Sequence, residues 1–95
     1  MSEIAVVATF VAKLGQEEKL KEALQGLVAP TLKERGALQY DLHRDLKEPR
    51  RFVFFERWES ETALEEHGRQ PHIEAHRRNA PDLVEHGEIH VVAKL

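Results

Sequence analysis

Two short segments, Ile4 to Lys13 (IAVVATFVAK) and Arg51 to Trp58 (RFVFFERW), set apolar side chains at consecutive positions, so as strands they offer apolar surface on both faces. A sheet with one wet face alternates apolar with polar residues, and one that does not alternate needs cover on both sides. What lies between and beyond these segments decides what that cover is. From Gln16 the period changes: Leu20, Leu24, Leu27, Val28 and Leu32 recur at three- and four-residue spacing, with Glu17, Glu18, Lys21, Glu22 and Lys33 on the other side, the pattern of an amphipathic helix. Acids lead it, Lys33 and Arg35 close it, and Gly36 is the expected residue just past its end, with Pro30 kinking the last turn.

Ala37 to Asp45 alternates Leu38, Tyr40 and Leu42 with Gln39, Asp41 and His43, which predicts a half-buried strand. A turn through Pro49 then joins it to Arg51 to Trp58 as an antiparallel hairpin. Ser60 is a natural cap for a helix running to about Gly68, and Pro71 suits the first turn of a second short helix ending near Ala80-Pro81. His86 to Leu95 alternates once more and makes a last strand. The order is βαββαβ with its second helix broken, an α+β, ferredoxin-like split arrangement with an antiparallel sheet. Its helices cover one face only, and the economical cover for the other is an identical sheet from a second subunit. Residues 1–95 are expected to form one domain, of a size at which enclosing a ligand cavity is easier with a partner.

Several function classes drop out. The 14 Lys plus Arg and 17 Asp plus Glu are mixed along the helices, so no nucleic-acid footprint is expected. Met1-Ser2-Glu3 lacks a basic leader and Ile4 to Ala12 is too short to span a membrane, which predicts an unprocessed protein without membrane attachment. The absence of cysteine removes disulfides, thiolate metal sites and cysteine nucleophiles, and fits a cytoplasmic setting. The five glycines are scattered, leaving neither a P-loop nor a dinucleotide fingerprint, and Ser2 and Ser60 are poor candidates for an acyl-enzyme.

Six histidines, at 43, 67, 72, 76, 86 and 90, are many for so short a chain. His72 and His76 have the helical spacing that lets two imidazoles meet one metal, with His43, Glu56 or His67 as a third ligand; the other reading leaves His76 on a solvated helix face. Phe52, Phe54, Glu56 and Trp58 share a strand face. Glu56 is then either at a wet strand end paired with an arginine, or partly buried with a raised pKa suited to proton transfer. Trp58 is core or ligand platform, with an N–H that needs a partner if buried. His67 lies one turn after Leu64 and should point inward, as a satisfied core residue or a general base. Tyr40, the only tyrosine, belongs to the strand core or offers a phenol to a pocket.

Taken together, Glu56-x-Trp58, Ser60, Ala63-Leu64, His67 and Pro71-His72, preceded by Glu34-x-Gly36-x-x-x-Tyr40, resemble the pattern of antibiotic biosynthesis monooxygenase domains and related quinol monooxygenases. The resemblance spans essentially the whole chain. It implies a dimeric α+β barrel of two face-to-face sheets, and oxygenation without flavin, metal or other cofactor. A quinol or hydroxylated aromatic, once deprotonated, would reduce dioxygen itself in a dry pocket that supplies a base and hydrogen bonds. On that footing His67 and His72 are the candidate bases, Glu56 orients or relays, and Trp58, Phe54 and Tyr40 shape the aromatic slot. Haem-degrading relatives of the fold are less similar: Val7-Ala8-Thr9-Phe10 lacks their first-strand Asn, and His76 is displaced from their haem ligand. A binding module that kept the pocket without the chemistry, or an isomerase using the same His and Glu, are the other readings.

Overall fold

The computed structural model describes residues 2–95. The chain runs β1 (Ile4–Ala12), α1 (Glu17–Leu32), β2 (Ala37–Arg44), β3 (Arg51–Trp58), α2 (Glu61–His67), α3 (Pro71–Leu83) and β4 (Val84–Val92). The strands form one antiparallel sheet in the order β2-β3-β1-β4, with Val6 opposite Glu56 and Val91, and Tyr40 opposite Glu56. This is the ferredoxin-like βαββαβ arrangement expected from the order of periodicities.

Alternation along the strands sorts the sheet into two faces. Ile4, Val6, Ala8, Tyr40, Phe52, Phe54 and Trp58 are buried against Leu20, Leu24 and Leu27 of α1 and Ala63 of α2. The opposite face carries Ala5, Val7, Thr9, Val11, Val53 and Phe55, half-buried to exposed, and none of the helices among the described residues lies over it. Among the described residues no helix is long and apolar enough to cross a membrane.

Two boundaries differ from expectation, each for a local reason. Helix α1 ends at Leu32 with Lys33 as its C-cap, before Lys33 and Arg35 can close it and well short of Gly36. Pro30 has no N–H to donate, and the chain tightens into successive turns, Lys33 N–H to Pro30 O at 3.3 Å, Glu34 N–H to Thr31 O at 3.0 Å and Ala37 N–H to Glu34 O at 3.2 Å. Gly36 then takes a positive φ of 89° in the turn rather than at the helix cap, where a Cβ would sit 2.6 Å from that of Ala63. Helix α3 continues through Pro81 to Leu83 and passes into β4 with no intervening loop, two residues before the expected start of that strand.

Candidate active site

Three elements meet at the end of α1. The turns after Pro30 swing Glu34 back toward the sheet, Ser60 caps α2 by accepting from Ala63 N–H at 3.1 Å, and Pro71 opens α3. The cap sets the phase of α2 so that His67 points inward, 8% exposed, with its ring 4.6 Å from that of Trp58 and 5.6 Å from that of Tyr40. Its Nδ1 lies 2.9 Å from Glu34 Oε2 and 3.1 Å from Oε1. His72, in the first turn of α3, brings Nε2 to 2.8 Å from the same Oε2 and 3.1 Å from Thr31 Oγ1. The buried carboxylate of Glu34 therefore accepts from two imidazoles on two helices.

That contact fixes chemistry as well as position. With Nδ1–H donated to Glu34, the His67 tautomer leaves a lone pair on Nε2, which the ring geometry turns away from the carboxylate. Burial holds the His67 pKa below its ordinary value against the opposing pull of Glu34, so the ring is a neutral acceptor near neutral pH.

Beside it, Glu56 is 5% exposed on the helix-facing side of β3 and accepts a 2.9 Å hydrogen bond from Trp58 Nε1. Burial pushes the Glu56 carboxyl up to about 7, the Trp58 bond opposes this, and the charge of Glu34 adds to it. The raised-pKa reading of Glu56 thus fits the structure, and the wet strand end does not. Tyr40 stacks on Phe54 with centroids 4.5 Å apart, and its hydroxyl is held well above the usual tyrosine range, chiefly by burial.

Between the sheet and helices α1 and α3 lies a cavity of about 380 Å³. Its wall is mostly apolar: Val6, Ala8 and Phe10 from β1, Phe54 from β3, Leu24 and Leu27 from α1, and Ile73 and Ala80 from α3. Tyr40, Glu56 and His67 supply polar groups, and His76 and Arg77 contribute from α3. This is the usual build of a small-molecule site, an apolar enclosure with a few convergent polar groups.

Of the six residues singled out from sequence, Tyr40, Phe54, Glu56 and His67 reach the cavity wall. Trp58 and His72 do not. Trp58 is 0% exposed and meets the site through Tyr40, Glu56 and His67, while His72 meets it through Glu34. His76 also departs from expectation, since α3 lies over the cavity and carries it half-buried into the wall instead of onto a solvated face. Nor does His76 join His72 at a shared ligand position: the converging trio is Glu34, His67 and His72, with His43 elsewhere against Val53 O at 3.3 Å.

The model of the family described as antibiotic biosynthesis monooxygenase matches residues 3–79. The chain belongs to the antibiotic biosynthesis monooxygenase family. Its relatives include Rv0793 of Mycobacterium tuberculosis, provisionally named a monooxygenase, 32% identical over 83 residues that make up 87% of this chain and 81% of that protein. YcnE of Bacillus subtilis, named likewise, is 35% identical over 69 residues, 73% of this chain and 72% of its own. Among solved structures, PA3566 from Pseudomonas aeruginosa superposes with a TM-score of 0.96 at 34% identity, covering 100% of this chain and 96% of that one. The structure of Rv0793 gives 0.93 at 32% identity over 99% and 96%.

Within this member of the family, Glu34 is the residue to which sequence reasoning gave no role. It stands in the Glu34-x-Gly36 motif, but its place in a turn beyond the helix gives it no periodicity from which a direction could be read.

Proposed function

We propose that this chain oxidises a quinol or hydroxylated aromatic with dioxygen, without a bound cofactor, as a monooxygenase. The observation that supports it most is His67: one ring nitrogen anchored on a buried carboxylate, the ring itself in the wall of an apolar cavity. His67 Nε2 takes the phenolic proton, and the electron-rich anion passes electrons to dioxygen. A carbon–oxygen bond forms, the O–O bond breaks, one oxygen stays on the ring and the other leaves as water. For a quinol the products are a hydroxyquinone and water, and the substrate supplies both electrons. Glu34 holds His67 in the required tautomer and His72 positions Glu34. Glu56, poised near 7, exchanges a proton with the developing oxygen-centred anion, and Phe54 and Tyr40 flank the aromatic ring.

The working unit in this reading is a homodimer joined through the helix-free sheet face, where Phe55 is 39% exposed beside half-buried Val7 and Val53. The family and the names of Rv0793 and YcnE favour the monooxygenase assignment, while the quinol, the cofactor independence and the dimer are this proposal's own.

The test is oxygen uptake by chelator-treated protein across a panel of quinols and polycyclic phenols, with spontaneous oxidation subtracted using heat-denatured protein. Saturable uptake is expected, falling roughly 10²- to 10⁴-fold in His67→Ala. Turnover unchanged in that variant would remove the base from the scheme. No uptake with any substrate, together with thermal stabilisation by the same compounds, would instead establish a binding module.

A further inference from the structure

Glu34, His67 and His72 each present one ligand atom, and the three atoms lie within 4.8 Å of one another. Hydrogen bonding accounts for part of this arrangement. Yet both imidazole nitrogens meet at a single oxygen, Oε2, while Oε1 holds only the longer 3.1 Å contact from His67. A third oxygen, Thr31 Oγ1, stands 3.1 Å from His72 Nε2. Three ligand atoms thus converge from the turn after α1, from α2 and from α3, with the Thr31 hydroxyl beside the His72 nitrogen. The side chains of Glu34, His67 and His72 are 7%, 10% and 20% exposed, so little water would have to be displaced around an ion.

We propose that this cluster is a binding site for one divalent first-row transition cation of the zinc class, held by Glu34 Oε2, His67 Nδ1 and His72 Nε2, with Thr31 Oγ1 or a water completing the shell. Two neutral imidazoles and one carboxylate select such a cation over calcium or magnesium, which favour all-oxygen ligand sets. Zinc takes these ligands at about 2.0 to 2.2 Å, which for a tetrahedron separates the donor atoms by about 3.3 Å. The present separations of 2.8 and 2.9 Å to Oε2 need to open by only a few tenths of an ångström, within the reach of side-chain rotation. Each N–H now pointing at Glu34 moves to the other nitrogen of its ring, so neutral rings bind the ion without releasing protons.

Occupancy has a further effect, which rests on the function proposed above. When the ion holds Nδ1 of His67, the ring proton sits on Nε2, and the cavity faces a donor in place of a base. Zinc should therefore suppress oxygen uptake reversibly, with a chelator restoring it. Binding and activity are separate measurements, so failure of the one is distinguishable from failure of the other.

The experiment is titration of chelator-treated protein with Zn²⁺ by calorimetry and with Co²⁺ by visible absorption. One equivalent per chain is expected, with binding weakened roughly tenfold or more in both Glu34→Gln and His72→Ala. The exposed His86, Glu88 and His90 on β4, linked at 3.1 and 3.3 Å, are a competing place for an ion to settle. The double variant His86→Ala/His90→Ala should bind as the parent does; binding that disappears there and survives in His72→Ala overturns the proposal. If either cluster variant fails to fold, ring-nitrogen NMR of the parent replaces it. Zn²⁺ should move the signals of His67 Nδ1 and His72 Nε2, and their staying fixed at saturating zinc overturns the site.

Discussion

Glu56 keeps its proton into the neutral range because β3 carries it to the inward face of the sheet, where water cannot solvate the charge. The folded chain therefore binds this proton more tightly than the unfolded chain does. The resulting stabilisation is fully present below the unfolded value near 4.5 and is lost as pH rises through about 7. At about 1.4 kcal/mol per pKa unit, the whole effect is on the order of 3 kcal/mol. His67, whose pKa is depressed, acts with the opposite sign: its contribution is present above its ordinary value of 6.5 and is lost as pH falls through the folded value. Comparing Glu56→Gln with the parent isolates the carboxyl, since Gln can still accept from Trp58. Thermal unfolding should show the variant gaining on the parent between pH 5 and pH 8; equal pH dependence in both would mean that Glu56 ionises freely. Residue types and strand phase made Phe54 and Glu56 legible as neighbours in the sequence, and the family resemblance added Tyr40. They could not show that Trp58 stops short of the cavity, because strand phase gives a side and not a depth.

At the scale of elements, the site depends on a turn. Gly36 has a positive φ and faces Ala63 at a distance no Cβ would tolerate, and its carbonyl accepts from Glu59 N–H at 2.9 Å, so α1, β2 and α2 are drawn together around Glu34. Gly36→Ala should destabilise by about 2 to 4 kcal/mol, the strained backbone adding to the overpacking. Gly15, with φ 82° but nothing within 4 Å of where a methyl group would stand, is the control: its Ala variant should lose only about 1 to 2 kcal/mol. Similar losses in the two, measured by denaturant unfolding, would show that the Ala63 contact is easily relieved. The strands and α1 were readable because periodicity reports them over eight or more residues, and α2 and α3 because Ser60 and Pro71 mark their starts. The early end of α1 was not, because one missing N–H at Pro30 outweighed the apolar and charged pattern that continued past it.

For the whole molecule, the open question of the sequence, apolar residues on both strand faces, takes a definite form. The helices cover the face of Ile4, Val6 and Phe54 and leave that of Val7, Val53 and Phe55 without a helix. In the dimer proposed above, Phe55→Glu puts charge into the interface. Sedimentation should find the parent as a dimer and Phe55→Glu as a folded monomer, with the far-ultraviolet spectrum unchanged. A monomeric parent at micromolar concentration ends that reading.

The direct passage of α3 into β4 carries a mechanical consequence. A loop at that junction would let the roof of the cavity lift while the sheet stayed at rest. Here α3, which buries none of its residues fully, is continuous with an edge strand hydrogen-bonded along β1. Any lifting of α3 would therefore have to bend the chain at Leu83-Val84, where Leu83 O accepts from Lys13 N–H at 2.8 Å and Val84 is already paired with Ala12 of β1.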